Sequence, residues 1–144
     1  MSDARLQFPP DPAHLAKVRR DAKEHALALG AVGNQGDAVA LVVDELVNNA
    51  IEHGAAYRTK GVDLSVAVGL DGKRLTVDFI DPEMPDDEVR DLAKALQESA
   101  DGLPALDSER GRGLFLLTVY MEELRIDVAA GGGLHLRGRL VDGD

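Results

Sequence analysis

The feature that most constrains this chain is a pair of alternating segments joined by Asp71-Gly72. Val62, Leu64, Val66 and Val68 are apolar at every second position, and so are Leu75, Val77 and Phe79. A period of two places these side chains on one face of a strand. Asp-Gly between two such runs is a strong hairpin signal. The pattern predicts a half-buried antiparallel pair that runs out at Ile80-Asp81 and needs a second layer over its apolar face. Two earlier segments of helical period can supply that layer. In the first, Asp11-Pro12 reads as N-cap and first helical position, and Leu15, Val18, Ala22, Ala26 and Leu29 follow at three-and-four spacing up to Gly30. In the second, Asp37 is expected to cap a helix running to about His53, with Gly54 just past its end. Val39, Val42, Val43, Leu46, Val47 and Ala50 form its apolar stripe.

The remaining segments complete a sheet. Arg5-Leu6-Gln7-Phe8 alternates before Pro9-Pro10, and Leu124, Ile126 and Val128 alternate again. Gly131 to Gly133 turns the chain, and Leu134, Leu136 and Leu140 return. Val89, Leu92, Ala93 and Leu96 mark a helix after Pro82 and Pro85. Gly111-Arg112-Gly113 opens another through Leu114, Leu117 and Tyr120. The sum is an α+β fold, a two-layer sandwich with a mixed, mostly antiparallel sheet and helices on one face. At 144 residues, one domain is expected.

Composition narrows the function classes. With no Cys, disulfides, thiol nucleophiles and thiolate metal sites are excluded. The 4 His have no metal-like spacing, which argues against zinc. Lys plus Arg number 16 and Asp plus Glu 26, a net charge of −10. This charge disfavours nucleic acid as a partner and an electrostatic membrane anchor. No apolar run approaches the ~18–20 residues of a membrane span. The N-terminus lacks a basic-then-apolar pattern, so the cytoplasm is the expected compartment.

Three constellations can carry chemistry. Glu45-x-x-x-Asn49 puts a carboxylate and an amide on one helix face, with His53 a further turn on. The carboxylate can orient or deprotonate a nucleophile. The amide oxygen can ligate Mg²⁺ shared with phosphates. Gly111-x-Gly113 running into Leu114 resembles a phosphate cradle, in which backbone N–H groups at a helix start face an anion and Arg110 and Arg112 add charge. Asp81, at a strand end, can accept from an exocyclic amine. Each has a plainer reading: a solvated pair, an ordinary loop and a turn residue.

Their order is more specific than any one of them. Leu41 to Gly54, containing Glu45 and Asn49, looks like the N box of the GHKL superfamily of ATP-binding domains, and Gly111 to Leu117 looks like its G2 box. More narrowly, nearly the whole chain resembles the small anti-sigma-factor serine/threonine kinases of bacterial partner switching. The resemblance implies that Glu45 is the general base, that Asn49 holds Mg²⁺, and that Asp81 reads adenine. It further implies that Arg110, Gly111, Arg112, Gly113 and Leu114 bind the phosphates of ATP. Residues 82–110 would form a lid. The substrate would be a STAS-domain anti-anti-sigma protein and the second partner a sigma factor, with homodimers common in the family.

The sequence departs from the family pattern at Asp81-Pro82-Glu83-Met84-Pro85, where Glu83 stands in place of a glycine. Residues 78–91 also carry seven acids against the single Arg90. Their field would oppose a polyanion, or else they cap and solvate a lid helix. Glu83 and the acidic stretch motivate a second function, a degenerate binding module that switches protein partners without phosphotransfer; a third is the catalytic half of a split histidine kinase, which the absence of a phosphoacceptor helix does not exclude.

Overall fold

The computed structural model describes residues 4–100 and 116–141. Five strands, β1 (Ala4–Phe8), β2 (Leu64–Asp71), β3 (Arg74–Asp81), β4 (Met121–Val128) and β5 (Leu134–Leu140), lie in the order β1-β2-β3-β5-β4. All four pairings are antiparallel. Helices α1 (Leu15–Ala28), α2 (Gln35–Gly54) and α3 (Asp86–Ala100) share one core with the sheet, and residues 116–120 are helical just before β4. This is the two-layer α+β sandwich that the periodicity predicts.

The hairpin sets the frame. Asp71 pairs with Arg74 across the turn, so Val66 meets Phe79 and Val68 meets Val77 on the inward face. Leu136 pairs with Phe79 from the other side. The apolar stripes of α1 and α2 close over this face, with Val18, Ala22, Ala26, Val39, Val43 and Val47 buried. Each fully buried Val, Leu or Phe gains about 1.5–3 kcal/mol over exposure. With so few aromatic rings, many small aliphatic contacts make up the core.

The structure corrects several local expectations. β2 is not half-buried: Ser65, Ala67 and Gly69, on its other face, are buried too. They are small, and the Arg5 guanidinium of β1 lies across Ser65, donating to its hydroxyl at 2.8 Å. Val62 precedes the strand and is exposed. The N-cap position of α2 is Asn34 rather than Asp37, and Asp37 instead pairs with Lys23 of α1 at 2.6 Å. Asp11 does cap, but it caps a short 3-10 turn, Pro12–His14, ahead of α1.

β4 starts earlier than its alternation suggests. Its register jumps between Glu122 and Arg125, leaving Glu123 and Leu124 opposite Gly138. This bulge, with Glu123 at φ 56°, adds one residue. Met121 and Ile126, five apart, are therefore both buried.

Candidate functional site

The carboxylate and amide of the second helix meet. Asn49 Nδ2 donates to Glu45 Oε2 at 3.3 Å, and both side chains are half-buried at the edge of the core. Helical spacing of four causes the contact. The flanking Leu46 and Ala50 are buried and hold this face of α2 in place. Among the described residues this is the single hydrogen bond of either side chain, so Asn49 Oδ1 and most acceptor positions of Glu45 stay available. An uncommitted amide oxygen beside a carboxylate suits a hard cation that keeps its waters.

Below this pair a small cavity of about 40 Å³, open to solvent, lies between α2, α3 and the sheet. Leu46, Ala50, Phe79, Met84, Leu92 and Leu136 give it apolar walls, and among the described residues Asn49 and His53 are its polar lining. Its apolar walls with a few polar groups at the edge have the character of a small-molecule pocket. Among the described residues, His53 Nε2 is buried and has no hydrogen-bond partner.

Asp81 has a different environment. It continues the inward series Leu75, Val77 and Phe79 of β3, which places its carboxylate on the helix-covered face at 0% exposure. Four donors surround it. Arg58 gives two bonds, Nη1 to Oδ1 at 3.1 Å and Nη2 to Oδ2 at 2.8 Å. Tyr57 Oη donates to Oδ2 at 2.7 Å, and the Glu83 backbone N–H to Oδ1 at 3.1 Å. A carboxylate has about four acceptor sites, so none is left. Asp81 does not line the cavity.

Arg58 is the residue that sequence reasoning missed. It follows a turn in which the Tyr57 and Arg58 N–H groups both bond the Gly54 carbonyl. Its guanidinium, 10% exposed, also donates to the Ala50 carbonyl. It lies directly over Gly54, where any Cβ would collide with it. Gly54 is thus the last residue of α2, and its missing side chain makes room for Arg58. A second glycine serves the same corner from the other side. At Gly133, φ 91°, a Cβ would come within 2.5 Å of the Asp81 carbonyl oxygen, so the β4–β5 turn presses on β3 only because no side chain is there.

Burial raises the affinity of the Tyr57 hydroxyl for its proton, and donation to Asp81 raises it further. Burial works against the charge on Arg58, but the hydrogen bonds and charge of Asp81 prevail and hold its proton more tightly than usual.

Glu83, the residue in the glycine position, has a structural task. Its carboxylate accepts from the backbone N–H groups of Thr59, Lys60 and Val62 at 2.9–3.0 Å and stands 3.6 Å from Arg58. Burial alone would raise its pKa. The three N–H groups and Arg58 outweigh that and bring it down to about 2. The other acids nearby also have structural places. Asp78 meets His135 on the outer face at 2.9 Å, and Asp86, Asp87 and Glu88 occupy the first turn of α3, where the helix dipole favours them. The acidic stretch is therefore largely neutralised or placed at a helix start, not gathered around the cavity.

Of the proposed lid, α3 is a packed helix with Val89 and Leu92 buried, and residues 101–110 lie outside the described residues. Arg110, Gly111, Arg112, Gly113 and Leu114 also lie outside them. Residues 116–120 are helical, with Leu117 buried and lining the cavity.

A two-layer sandwich with a Glu/Asn pair on its second helix and an apolar cavity below it has the form of a GHKL-like ATPase domain. The chain matches the histidine kinase-like ATPase domain family over residues 8–140 and belongs to that family. In fold it is similar to a chain in the crystal structure of the SiaB–SiaC complex from Pseudomonas aeruginosa. The TM-score is 0.74 at 15% identity, covering 95% of this chain and 88% of that one. No curated protein matches the sequence. No helix among the described residues is long and apolar enough to cross a membrane.

Proposed function

We propose that this chain is an ATP-dependent serine/threonine protein kinase of the partner-switching type, which phosphorylates a STAS-domain anti-anti-sigma protein and holds a sigma factor as its second partner. The observation that carries the reading is the Glu45–Asn49 pair, in contact and with acceptor positions to spare, with Asn49 lining an apolar cavity. Glu45 takes the proton of the attacking hydroxyl. Asn49 Oδ1 is the ligand for Mg²⁺, and Arg110 to Leu114 are the expected phosphate contacts. ATP, when bound, supplies the phosphoryl group. A protein partner is supported by the likeness in fold to a chain solved as a complex of two proteins. Homodimerisation and a cytoplasmic location are part of the same proposal.

Calorimetric titration with Mg²⁺-ATP tests it. Asn49→Ala should weaken binding by roughly tenfold or more, whereas Glu45→Ala should keep binding and lose phosphotransfer to the partner. Phosphosite mapping on proteins that co-purify should find phosphoserine or phosphothreonine; phosphohistidine would indicate a histidine kinase half instead. If millimolar Mg²⁺-ATP does not bind, the kinase reading is lost. A second reading, a partner-binding module without phosphotransfer, is favoured by the saturated carboxylate of Asp81.

A further inference from the structure

On the outer face of the sheet, β4 and β5 bring Arg125 directly opposite Arg137. Like charges in that position are unfavourable. Both side chains are exposed, and among the described residues neither makes a hydrogen bond or an ion pair. The acids around them are committed elsewhere. Asp78, opposite Arg137 on β3, meets His135 at 2.9 Å. Glu123 pairs with Arg139 at 2.5 Å, and Asp71 stands 3.6 Å from the same guanidinium. Glu122 pairs with Arg74. Asp127, two residues after Arg125, lies opposite His135.

The β4 bulge creates this arginine pair. In an unbroken strand that starts with Met121 inward, Arg125 would point inward too. The extra residue at Glu123 and Leu124 shifts the alternation, so that Ile126 is buried and Arg125 faces out. The shift is held by Glu123 at φ 56°, a conformation that residues other than glycine seldom adopt. Gly138 opposite has no side chain, which leaves room for Leu124 and Met121. A bulge commonly re-aims a side chain at a functional position. Beside the pair is an open groove of about 360 Å³, lined by Arg125, Arg137, Arg139, Thr76 and Asp78.

We propose that this groove docks an acidic segment of a protein partner, with a carboxylate seated between the Arg125 and Arg137 guanidinium groups. Guanidinium forks hold a carboxylate by charge-assisted hydrogen bonds, and an anion between the two offsets their repulsion. The net charge of −10 repels an acidic partner from most of the surface. The unpaired arginines then give that partner one favoured orientation. The groove is on the opposite face of the sheet from Glu45 and Asn49, so it can act whether or not the cavity binds a nucleotide.

Fluorescence anisotropy with a labelled hexaglutamate peptide tests the docking. The wild type should bind it, more weakly as salt rises. Arg125→Ala and Arg137→Ala should each weaken binding by roughly tenfold. Arg20→Ala, which removes the same charge from α1, should stay within about twofold of wild type. Arg125→Ala should also melt at or above the wild-type temperature, because it removes a like-charge contact. A clear fall in melting temperature would make the pair a structural one and overturn the docking. No peptide binding at low salt would overturn it, and so would equal losses in all three variants. Displacement of the peptide by millimolar inorganic phosphate at constant ionic strength would overturn it in favour of a phosphate ligand. A dimer in sedimentation that Arg125→Ala separates would overturn it in favour of a second copy of the chain.

Discussion

Two carboxylates near the cavity show what makes an acid available for chemistry. Glu45 is half-buried and has one hydrogen bond, from Asn49. Asp81 is fully buried and has four. A catalytic base needs an open acceptor position facing solvent or substrate, and Glu45 meets that condition. A saturated, buried carboxylate instead fixes its neighbours: Asp81 ties the end of α2, the 55–58 turn and β3 together. The local sequence around each acid looks equally promising, so the difference lies in their partners.

The comparison can be broken most severely at Arg58. Arg58→Ala leaves the Asp81 charge buried without its cation and should cost about 3–5 kcal/mol, read as a fall in the urea midpoint. By contrast, Glu45→Ala should leave that midpoint nearly unchanged. Next is Gly54→Ala, whose methyl group collides with the Arg58 guanidinium and displaces it. We expect about 1–3 kcal/mol, as for other overpacked sites, and the loss should largely vanish in an Arg58→Ala background. Such non-additivity would show that the two positions act through one contact.

Glu83 sharpens the comparison through pH. Its folded pKa, about 2, lies below the ordinary value of 4.5. Its contribution is therefore complete above pH 4.5 and disappears as pH falls toward 2. Glu83→Gln should melt at a lower temperature near neutrality and show a shallower loss of stability across that acid window. The smallest effect belongs to the exposed pair Lys17–Asp21 on α1, 2.7 Å apart. Lys17→Ala should change stability by less than about 0.5 kcal/mol, which sets the background against which the buried network is measured.

Much of the fold was legible in residue order. Alternation around Asp71-Gly72 specified the hairpin, and the three-and-four spacing of α1 and α2 specified the layer above it. The Glu45–Asn49 contact followed from helical geometry, since residues four apart on a helix meet whatever the rest of the chain does. Burial on both faces of β2 was not legible, because it depends on β1, a strand far away in sequence, laying Arg5 across it. Nor was the bulge in β4, where the alternation of Leu124, Ile126 and Val128 gives no sign of the extra residue.

The role of Asp81 shows the same division. Residue order is enough to show that Asp81 ends a strand and shares the parity of Phe79, which points it inward. It takes the packed chain to bring Arg58 and Tyr57, more than twenty residues earlier, onto its acceptor positions, and to turn Glu83 away to bind the 59–62 backbone. Local pattern reports which way a side chain points, because that depends on neighbouring dihedral angles. It does not report which distant donor reaches it, because that depends on how the helix and strand are packed together.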